Sequence, residues 1–400
     1  MYELAKRCLE ICNRMRRWFQ ECNYAGIDPY LLDAKAFGLR RLPGIGRLLV
    51  TMRQLLKPLH PYFPRQVFSS CSPVVMAKAI GLILSGTARL YRVNRDESCL
   101  SECALLLELL KVQRSPGFSH LCWGQPFAWG GSIRYPPYTP AVCVTSPIAH
   151  GILDYYEIAP NDETLTMLND VALYLMNENG YEDLGDSLCL YYAPGNPTLA
   201  YNGNIMAASF LLRLSRITAD EGLVTFASRA VNFVVEGQNP DGSWFYSDPR
   251  GKGGLITTID NRHSGFVLEH LKIAADILGD AAIEKAIERG WTYYKQVLFD
   301  GPIPKWSPTQ TYPVDIHDVA QAIITLLQLG QLDWATQVTR FALDNLFDGN
   351  NQFFYKLFAN GQVNKTVFIR WGQAWMFKAL GLFSEAHLLA RQRSFVSTDQ

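Results

Sequence analysis

At six places along the chain, a short polar run leads directly into an apolar segment whose residues follow helical spacing. In the clearest case, residues 257–271, the polar run 260–263 precedes the apolar positions. Asp260 or Asn261 can cap this helix, because a short side-chain oxygen accepts the backbone N–H groups that the first turn leaves free. The other five segments begin at residues 70, 145, 201, 315 and 370. The pattern therefore predicts six apolar helices, each with polar residues at its start.

A more charged helix and a short aromatic segment precede each of the later apolar helices. Ala149, Ala207, Ser264, Ala320 and Gln373 occupy the same position in five successive units and are separated by 58, 57, 56 and 53 residues. A fixed interval of this size indicates one supersecondary unit that is repeated. A strand is predicted at 185–192, and hydrophobic periodicity predicts helices at 1–22, 45–57, 70–90, 96–113, 147–158, 161–179, 204–216, 219–237, 264–278, 280–298, 317–329, 332–346 and 371–383.

Six helical hairpins that close into a ring form an all-α (α/α)6 toroid, and this is the predicted fold class. The small residues of the apolar helices suit a crowded inner ring, and the charged helices suit an outer ring that faces water. We expect one domain over residues 1–400, with N-terminal helices and a loop at 1–66, the repeated hairpins at 67–385 and a C-terminal tail at 386–400. In such a ring, the polar starts of the inner helices meet around one cavity.

The charge balance and the cysteines narrow the class of protein. The chain carries 37 Lys plus Arg and 37 Asp plus Glu, so we expect no nucleic-acid partner, which would need a basic face. Nine cysteines without a CxxC pair indicate thiols in a reducing compartment. Residues 1–19 lack the apolar core of a signal peptide, and runs such as 80–84 are too short to cross a bilayer. We therefore expect a soluble, cytoplasmic protein with no membrane span, and the sequence leaves its oligomeric state open.

Carboxylates and imidazoles near the starts of two inner helices are the catalytic candidates. Asp260, Asp315 and Asp318 could supply the acid and the carboxylate that hydrolysis of a glycosidic bond needs on its two sides. His263 and His317 occupy comparable positions, and a histidine that titrates near neutrality can move protons at a sugar carbon. The alternative is that the aspartates only cap helices, because Asp is among the preferred capping residues.

Arginines, aromatic residues and amides near the predicted cavity are candidates for binding sugar. An arginine can hold a uronate carboxylate through a forked pair of hydrogen bonds. Aromatic rings offer flat faces to sugars, although aromatic residues in strands also pack hairpins onto a barrel. The predicted substrate-binding residues are Trp123, Trp129, Arg134, Tyr135, His150, Tyr201, Asn202, Asn204, Arg262, Arg370 and Trp371. No HExxH, HxxxH, P-loop or GxGxxG motif occurs, so we expect neither a metal site nor a nucleotide cofactor.

The hairpin repeat and its turns resemble a known superfamily. The segment 241–246, with the sequence Asp-Gly-Ser-Trp-Phe-Tyr, resembles the turns of the six-hairpin glycosidase superfamily of (α/α)6 toroids. More narrowly, segments 23–30, 238–244 and 260–265 are similar to bacterial exopolysaccharide-biosynthesis proteins of the VpsJ type, over residues 15–385. The resemblance implies a role in polysaccharide assembly, with an oligosaccharide or polysaccharide as partner, and leaves the reaction open.

Three hypotheses about function follow. The first is a carbohydrate-active enzyme of polysaccharide biosynthesis or processing that acts on an oligosaccharide, which could contain uronate, by epimerisation, elimination or hydrolysis in the central cavity. The second is a non-catalytic glycan-binding or scaffold protein, which needs the aromatic residues and arginines but no acid/base pair. The third is a terpene-type cyclase, because the segment 315–318 resembles an acidic protonating motif. The polar inner rim argues against a hydrocarbon substrate.

Overall fold

The computed structural model describes residues 1–32, 63, 65–68, 70–130 and 134–396. The helix predicted at 45–57 lies outside the described residues. Within them there are 13 α-helices, named in chain order α1 (Tyr2–Glu21), α2 (Arg65–Phe68), α3 (Ala77–Asn94), α4 (Glu97–Val112), α5 (Val142–Tyr156), α6 (Asp162–Leu173), α7 (Tyr201–Thr218), α8 (Glu221–Glu236), α9 (Asn261–Leu278), α10 (Ala281–Val297), α11 (Ile316–Gln328), α12 (Leu332–Asn345) and α13 (Ala374–Val396).

Six of these helices form a closed inner ring. In order around the ring, α3 packs against α5, α5 against α7, α7 against α9, α9 against α11, α11 against α13, and α13 against α3. A second ring lies outside it: α4 packs on α3, α6 on α5, α8 on α7, α10 on α9, α12 on α11, and α1 on α13. The N-terminal helix therefore completes the outer ring beside the last inner helix. The predicted (α/α)6 toroid is confirmed.

The two rings differ in how much of each helix is buried. The outer helix α10 buries one stripe, which includes Ile283, Ala286, Ile287 and Gly290 at helical spacing. The inner helix α7 is buried all round over its first twelve residues. An amphipathic helix with one apolar stripe faces a core on that side only, whereas a helix that is apolar all round lies within a core. The sequence pattern thus decides which ring each helix joins.

Two glycines allow adjacent inner helices to approach closely. A Cβ atom added at Gly151 of α5 would lie 2.2 Å from the backbone oxygen of Gly81 in α3, and one added at Gly81 would lie 2.7 Å from Cα of Ile148. Backbone atoms cannot move aside as flexible side chains can, so only glycine fits at this crossing. None of the helices in the described ranges has the length and apolarity needed to cross a membrane.

Eleven short antiparallel strands lie in the described loops between helices. They pair as β1 (Ala25–Gly26) with β2 (Val74–Val75), β3 (Trp129–Gly130) with β4 (Arg134–Tyr135), β5 (Tyr181–Asp183) with β6 (Leu188–Leu190), β7 (Phe299–Asp300) with β8 (Ile303–Pro304), and β10 (Lys356–Leu357) with both β9 (Val314–Asp315) and β11 (Val363–Asn364). The strand predicted at 185–192 corresponds in part to β6.

Only some inner helices begin as the sequence analysis expects. Asp260 accepts the N–H of His263 and Asp315 accepts that of His317, so both predicted caps are confirmed. The helix predicted at 147–158 instead begins at Val142, and the one predicted at 204–216 begins at Tyr201. Their first N–H groups bond backbone carbonyls of neighbouring loops. In each case the carbonyl of a loop that is distant in sequence replaces the side-chain cap. The local sequence cannot reveal such a partner.

Candidate active site

The starts of the inner helices meet at one end of the toroid, which we call the mouth. Arg262, in the first turn of α9, donates to Asp318 of α11 at 2.9 Å, and its guanidinium lies 5.1 Å from the ring centre of Trp371. Trp371, just before α13, donates its indole N–H to Asp315, the cap of α11, at 2.9 Å. Three inner helices are thereby joined through side chains at their N-terminal ends.

The mouth extends to the other inner helices. Lys78 of α3 places its Nζ 5.4 Å from the ring centre of Trp375 in α13. The thiol of Cys143 in α5 lies 3.1 Å from the hydroxyl of Tyr192. The backbone oxygen of Tyr246 accepts the N–H of the first residue of α7 at 3.3 Å. Tyr192 and Tyr246, at this end of the toroid, are half-buried.

Asp260 and His263 form a carboxylate–imidazole dyad at the start of α9. Nδ1 of His263 lies 2.7 Å from Oδ2 of Asp260, and the imidazole packs edge-on against Tyr246, with ring centres 4.9 Å apart. Burial alone would raise the pKa of Asp260, but attraction to the His263 ring and to Arg262 holds it well below its usual range. The ionised carboxylate keeps the proton on Nδ1. Nε2, which has no hydrogen-bond partner among the described residues, belongs to a side chain that is 27% exposed.

Arg262 lies among three carboxylates. Besides Asp318 it approaches Asp260, with Nη2 3.8 Å from Oδ2, and Lys356 lies 3.3 Å from Asp315. Three carboxylates thus face two cations, which favours one bound proton. Asp318 is the group that takes it, because its Oδ2 is buried without a partner in the described structure. Burial raises the pKa of Asp318 to about 8 against the attraction of Arg262, and the charges of Asp315 and Asp260 add to the increase.

His317 has a different environment from His263. Its ring stacks on Trp375 with centres 4.9 Å apart and meets Trp371 edge-on at 4.8 Å. Neither ring nitrogen has a hydrogen-bond partner in the described part of the chain. Burial lowers the pKa of His317 well below its usual range, and the positive charges of Arg262 and Lys78 add to the decrease. His317 is therefore a neutral imidazole with a free donor and a free acceptor. Both His317 and His263 contact Phe266.

The second predicted arginine is fully engaged. Nε and Nη2 of Arg370 donate to the two oxygens of Asp28 at 2.7 and 2.9 Å, and both residues are buried. Its guanidinium also lies 5.5 Å from the ring centre of Tyr30, which is 43% exposed and packs edge-on against Trp371. Arg370 thus fastens the N-terminal loop to the start of α13, and its fork is not open to a substrate carboxylate.

Several of the predicted binding residues are buried or already bonded to other groups of the protein. Trp123 is fully buried and donates to the backbone oxygen of Leu110. Tyr201 donates to Asp248 at 2.6 Å, and Asn204 bonds backbone groups of β6 and α8. Asn202 is buried in the first turn of α7, with its side-chain oxygen unpartnered among the described residues. Trp129 and Tyr135 stack on each other in the β3–β4 hairpin beside Tyr192, and Arg134 belongs to the same hairpin.

His150 lies deep in the barrel, because α5 begins five residues before the predicted start at 147. Its Nδ1 faces Arg213 at 3.0 Å, and its Nε2 faces Ser209 at 3.2 Å. Ser209 also bonds His270 at 2.8 Å. A polar chain of buried side chains therefore fills the interior of the inner ring, and His150 belongs to it. The expectation that His150 lies at the mouth with the other candidates is not met.

Three charged residues at the mouth are not among the site residues that the sequence predicts. Asp28 partners Arg370, Lys356 partners Asp315, and Lys78 extends towards Trp375. Two of them could have been found from the sequence, because each is a lysine within an otherwise apolar stretch: Lys356 in the segment 353–357, and Lys78 near the start of α3. No group of three His, Cys, Asp or Glu side chains in the described residues is arranged to hold a metal ion.

A pocket of about 600 Å³ lies outside the mouth, and its side chains differ chemically from those at the mouth. Its walls come from α1, β1, α2 and the segment before α13, and they are lined by Trp18, Ala25, Gly26, Ile27, Gln66, Phe68, Cys71, Pro73, Gln352, Val367 and Ile369. Among the described residues, this lining holds no carboxylate, imidazole or basic side chain. Acid/base chemistry on a sugar needs such groups, so we assign the candidate site to the mouth.

Comparison with solved structures finds the same fold in carbohydrate-active enzymes. Cellobiose 2-epimerase from Spirochaeta thermophila is 13% identical, with a TM-score of 0.63 over 88% of this chain and 100% of that one. A GH76 α-mannanase from Bacteroides thetaiotaomicron is 12% identical, with a TM-score of 0.60 over 92% and 97%. A possible member of the GH105 family from Klebsiella pneumoniae is 12% identical, with a TM-score of 0.60 over 86% and 94%.

These similarities identify the fold as an (α/α)6 toroid. No family model matches the sequence. No curated protein matches it either. The fold class is therefore established by structure, and the reaction has to be argued from the residues at the mouth.

Proposed function

We propose that the protein is a carbohydrate-active enzyme that transfers a proton at a carbon of an oligosaccharide bound in the mouth. The observation that carries this proposal is the dyad: Asp260 holds Nδ1 of His263 at 2.7 Å, and the partly exposed ring keeps Nε2 free. A histidine oriented in this way can act as a general base or acid. The solved structures of sugar epimerases and glycoside hydrolases with the same fold support a sugar as the substrate.

Epimerisation or elimination is supported better than hydrolysis. In both reactions a base removes a proton from a carbon next to a carbonyl or carboxyl group. In epimerisation one group removes a proton and a second group returns one to the other face. His317, a neutral imidazole whose two nitrogens have no partner among the described residues, is the candidate for the base, and His263, oriented by Asp260, is the candidate for the group that returns the proton. Hydrolysis needs a free pair of carboxyl groups across the bond. Asp260 and Asp315 are instead occupied by a helix cap and by partners, and only one oxygen of Asp318 is unpartnered in the described structure.

We place the reaction in cytoplasmic polysaccharide biosynthesis. The resemblance of segments 23–30, 238–244 and 260–265 to VpsJ-type exopolysaccharide proteins supports this role. Within those segments, Asp28 forms an ion pair with Arg370, and Asp260 orients the ring of His263. The resemblance therefore includes residues that make defined contacts at the mouth. The predicted substrate-binding residues that remain there are Arg262, Trp371 and the neighbouring β3–β4 hairpin. A terpene-type cyclase is disfavoured, because charged groups line the mouth.

Solvent exchange tests the proposed reaction. The protein is incubated in D2O with neutral and acidic reducing oligosaccharides, and NMR follows deuterium uptake at the sugar carbons and the appearance of new epimers or unsaturated products. The wild-type protein should exchange a C–H proton of at least one sugar. His263→Gln and His317→Gln should each lower the rate by about 10²-fold or more, as loss of a general acid or base does.

The chain offers a matched control for the dyad. His120 also has Nδ1 near a carboxylate, 2.8 Å from Asp170, and its side chain is also 27% exposed, but it lies on a loop beside α6. His120→Gln should therefore keep full activity. Release of new reducing ends without exchange would point to hydrolysis. Glycan binding without either reaction would move the scaffold hypothesis to first place.

A further inference from the structure

Lys78 is a buried cation at the mouth without an anionic partner among the described residues. It is the second residue of α3 and is 7% exposed. Its Nζ lies 5.4 Å from the ring centre of Trp375 and makes neither a hydrogen bond nor an ion pair with the described residues. Burial lowers the pKa of Lys78 to about 8, so the ammonium form still predominates at neutral pH.

The other buried cations around Lys78 are all paired. Arg370 is bonded to Asp28 through both arms of its fork, so the Asp28 carboxylate, whose charge acts on Lys78, is already used. Lys378, whose Nζ lies 5.6 Å from the same Trp375 ring, is 3.6 Å from Glu269. Lys78 and Lys378 thus contact one indole, and of the two only Lys378 has a carboxylate partner in the described part of the chain.

An unpaired buried charge is costly. Moving an ammonium group out of water costs several kcal/mol unless a counter-charge and hydrogen bonds replace the lost hydration. A fold can maintain such a group where a ligand supplies the missing anion. We propose that Lys78 receives the carboxylate of a hexuronate residue in the oligosaccharide, and so makes the mouth selective for acidic sugars. This inference rests on the proposed function, because it names the substrate class of the same site.

The charge balance favours a carboxylate over a phosphate. Lys78 offers one compensating positive charge, which matches the single charge of a carboxylate. A phosphate monoester carries about −1.5 to −2 at neutral pH and would leave negative charge uncompensated. Lys78 also lies close to the proposed chemistry, because its Nζ and the ring of His317 approach Trp375 to 5.4 and 4.9 Å. A sugar ring next to His317 can therefore present its carboxylate to Lys78.

Binding of matched sugars tests this assignment independently of catalysis. Calorimetry compares digalacturonic acid, its neutral counterpart galactobiose, and galactose 6-phosphate. The wild-type protein should bind the diuronate at least about tenfold more tightly than the neutral sugar, as expected for a charge-assisted hydrogen bond. Lys78→Met should remove that preference. Lys272→Met, the same change at a half-buried lysine paired with Asp276 on α9, should retain it.

Stability provides the second readout. Lys78→Met should leave the melting temperature unchanged or raise it, because an unpaired buried charge is replaced by an apolar chain of similar length. Lys378→Met should lower it, because Glu269 loses its partner. An unstable Lys78→Met protein would show that Lys78 has a structural role and would overturn the proposal.

The remaining outcomes also decide the matter. The assignment of Lys78 would be overturned if the wild type showed no measurable binding of the diuronate, or if Lys78→Met kept the preference for the acidic sugar. Tighter binding of the phosphorylated sugar than of the diuronate would also overturn it. Diuronate binding that depends on Lys78, without any proton exchange, would keep this inference and reject the proposed reaction.

Discussion

Oδ1 of Asp260 accepts the backbone N–H of His263 at 2.9 Å, while Oδ2 of the same carboxylate lies 2.7 Å from Nδ1 of the His263 ring. One side chain therefore begins α9 with one oxygen and orients an imidazole with the other. From the sequence, capping a helix and taking part in catalysis are alternative roles for Asp260. The geometry allows this residue to have both roles.

Asp260→Asn should separate the two roles. Asparagine caps helices about as well as aspartate, so loss of the cap itself should change the free energy of unfolding by less than about 1 kcal/mol, and any further loss measures the attraction of the carboxylate to Arg262 and His263. An amide cannot stabilise a charged imidazole as the carboxylate does, so the rate of proton exchange should fall by about 10²-fold or more. Denaturant unfolding and NMR exchange measure the two effects. Asp170→Asn, beside the control residue His120, should leave exchange unchanged, and full activity of Asp260→Asn would remove the dyad from the mechanism.

Asp318 should make stability depend on pH in a defined direction. Its pKa is raised from 3.8 to about 8 on folding, so the folded protein binds this proton more tightly than the unfolded chain. Its contribution to stability is complete below 3.8 and is lost as the pH rises to about 8. Asp318→Asn mimics the protonated acid, and it should gain stability relative to the wild type across this interval. Urea unfolding at several pH values measures the difference. A constant difference would mean that Asp318 is ionised throughout.

Asp28→Asn should be strongly destabilising although it changes few atoms. It leaves Arg370 buried with its charge uncompensated, and breaking a buried ion pair in this way costs about 3–5 kcal/mol. Asp276→Asn, which breaks an exposed pair with Lys272 on α9, should cost less than about 0.5 kcal/mol. Urea denaturation of the three proteins provides the comparison. Equal small losses would indicate that Arg370 finds another partner.

The buried histidine His270 should contribute to acid sensitivity. Burial lowers its pKa from 6.5 to about 4, with the positive charges of Lys378 and Arg213 adding to the decrease against the attraction of Glu269. The unfolded chain therefore binds more protons, and the contribution of His270 to stability is lost as the pH falls from 6.5 to about 4. His270→Asn should reduce the slope of stability against pH in that interval. If the slope is unchanged, the loss of stability in this pH interval comes from other groups.

The crossing of α3 and α5 should tolerate no side chain at Gly151. Gly151→Ala would place a Cβ atom 2.2 Å from the backbone oxygen of Gly81. Replacing glycine by alanine in a helix interior normally stabilises a protein by roughly 1 kcal/mol. The clash should cost more than this, so the variant should be less stable than the wild type. Gly203→Ala in α7 is the control, because the nearest atom would lie at an ordinary 3.7 Å. The control should be neutral or more stable. Thermal unfolding distinguishes the two, and similar melting temperatures would contradict the close crossing.

The sequence by itself determined the repeat and the ring. The spacing of 58, 57, 56 and 53 residues, the apolar inner helices and the amphipathic outer helices together specify six hairpins. It also determined the caps at Asp260 and Asp315. These features depend on residues within one or two turns of each other, so they can be seen in a single sequence.

Only the tertiary structure decided which polar groups meet and which remain available. The two residues of the Arg370–Asp28 pair are 342 positions apart, and their contact removes an arginine that the sequence offered to substrate. Backbone carbonyls from distant loops begin α5 and α7, and they shift His150 into the barrel interior. For the same reason, Lys78 is left without a charged partner among the residues that the structure describes. Charge pairing depends on distances of a few ångströms between residues that the chain separates widely, and closure of the ring fixes those distances.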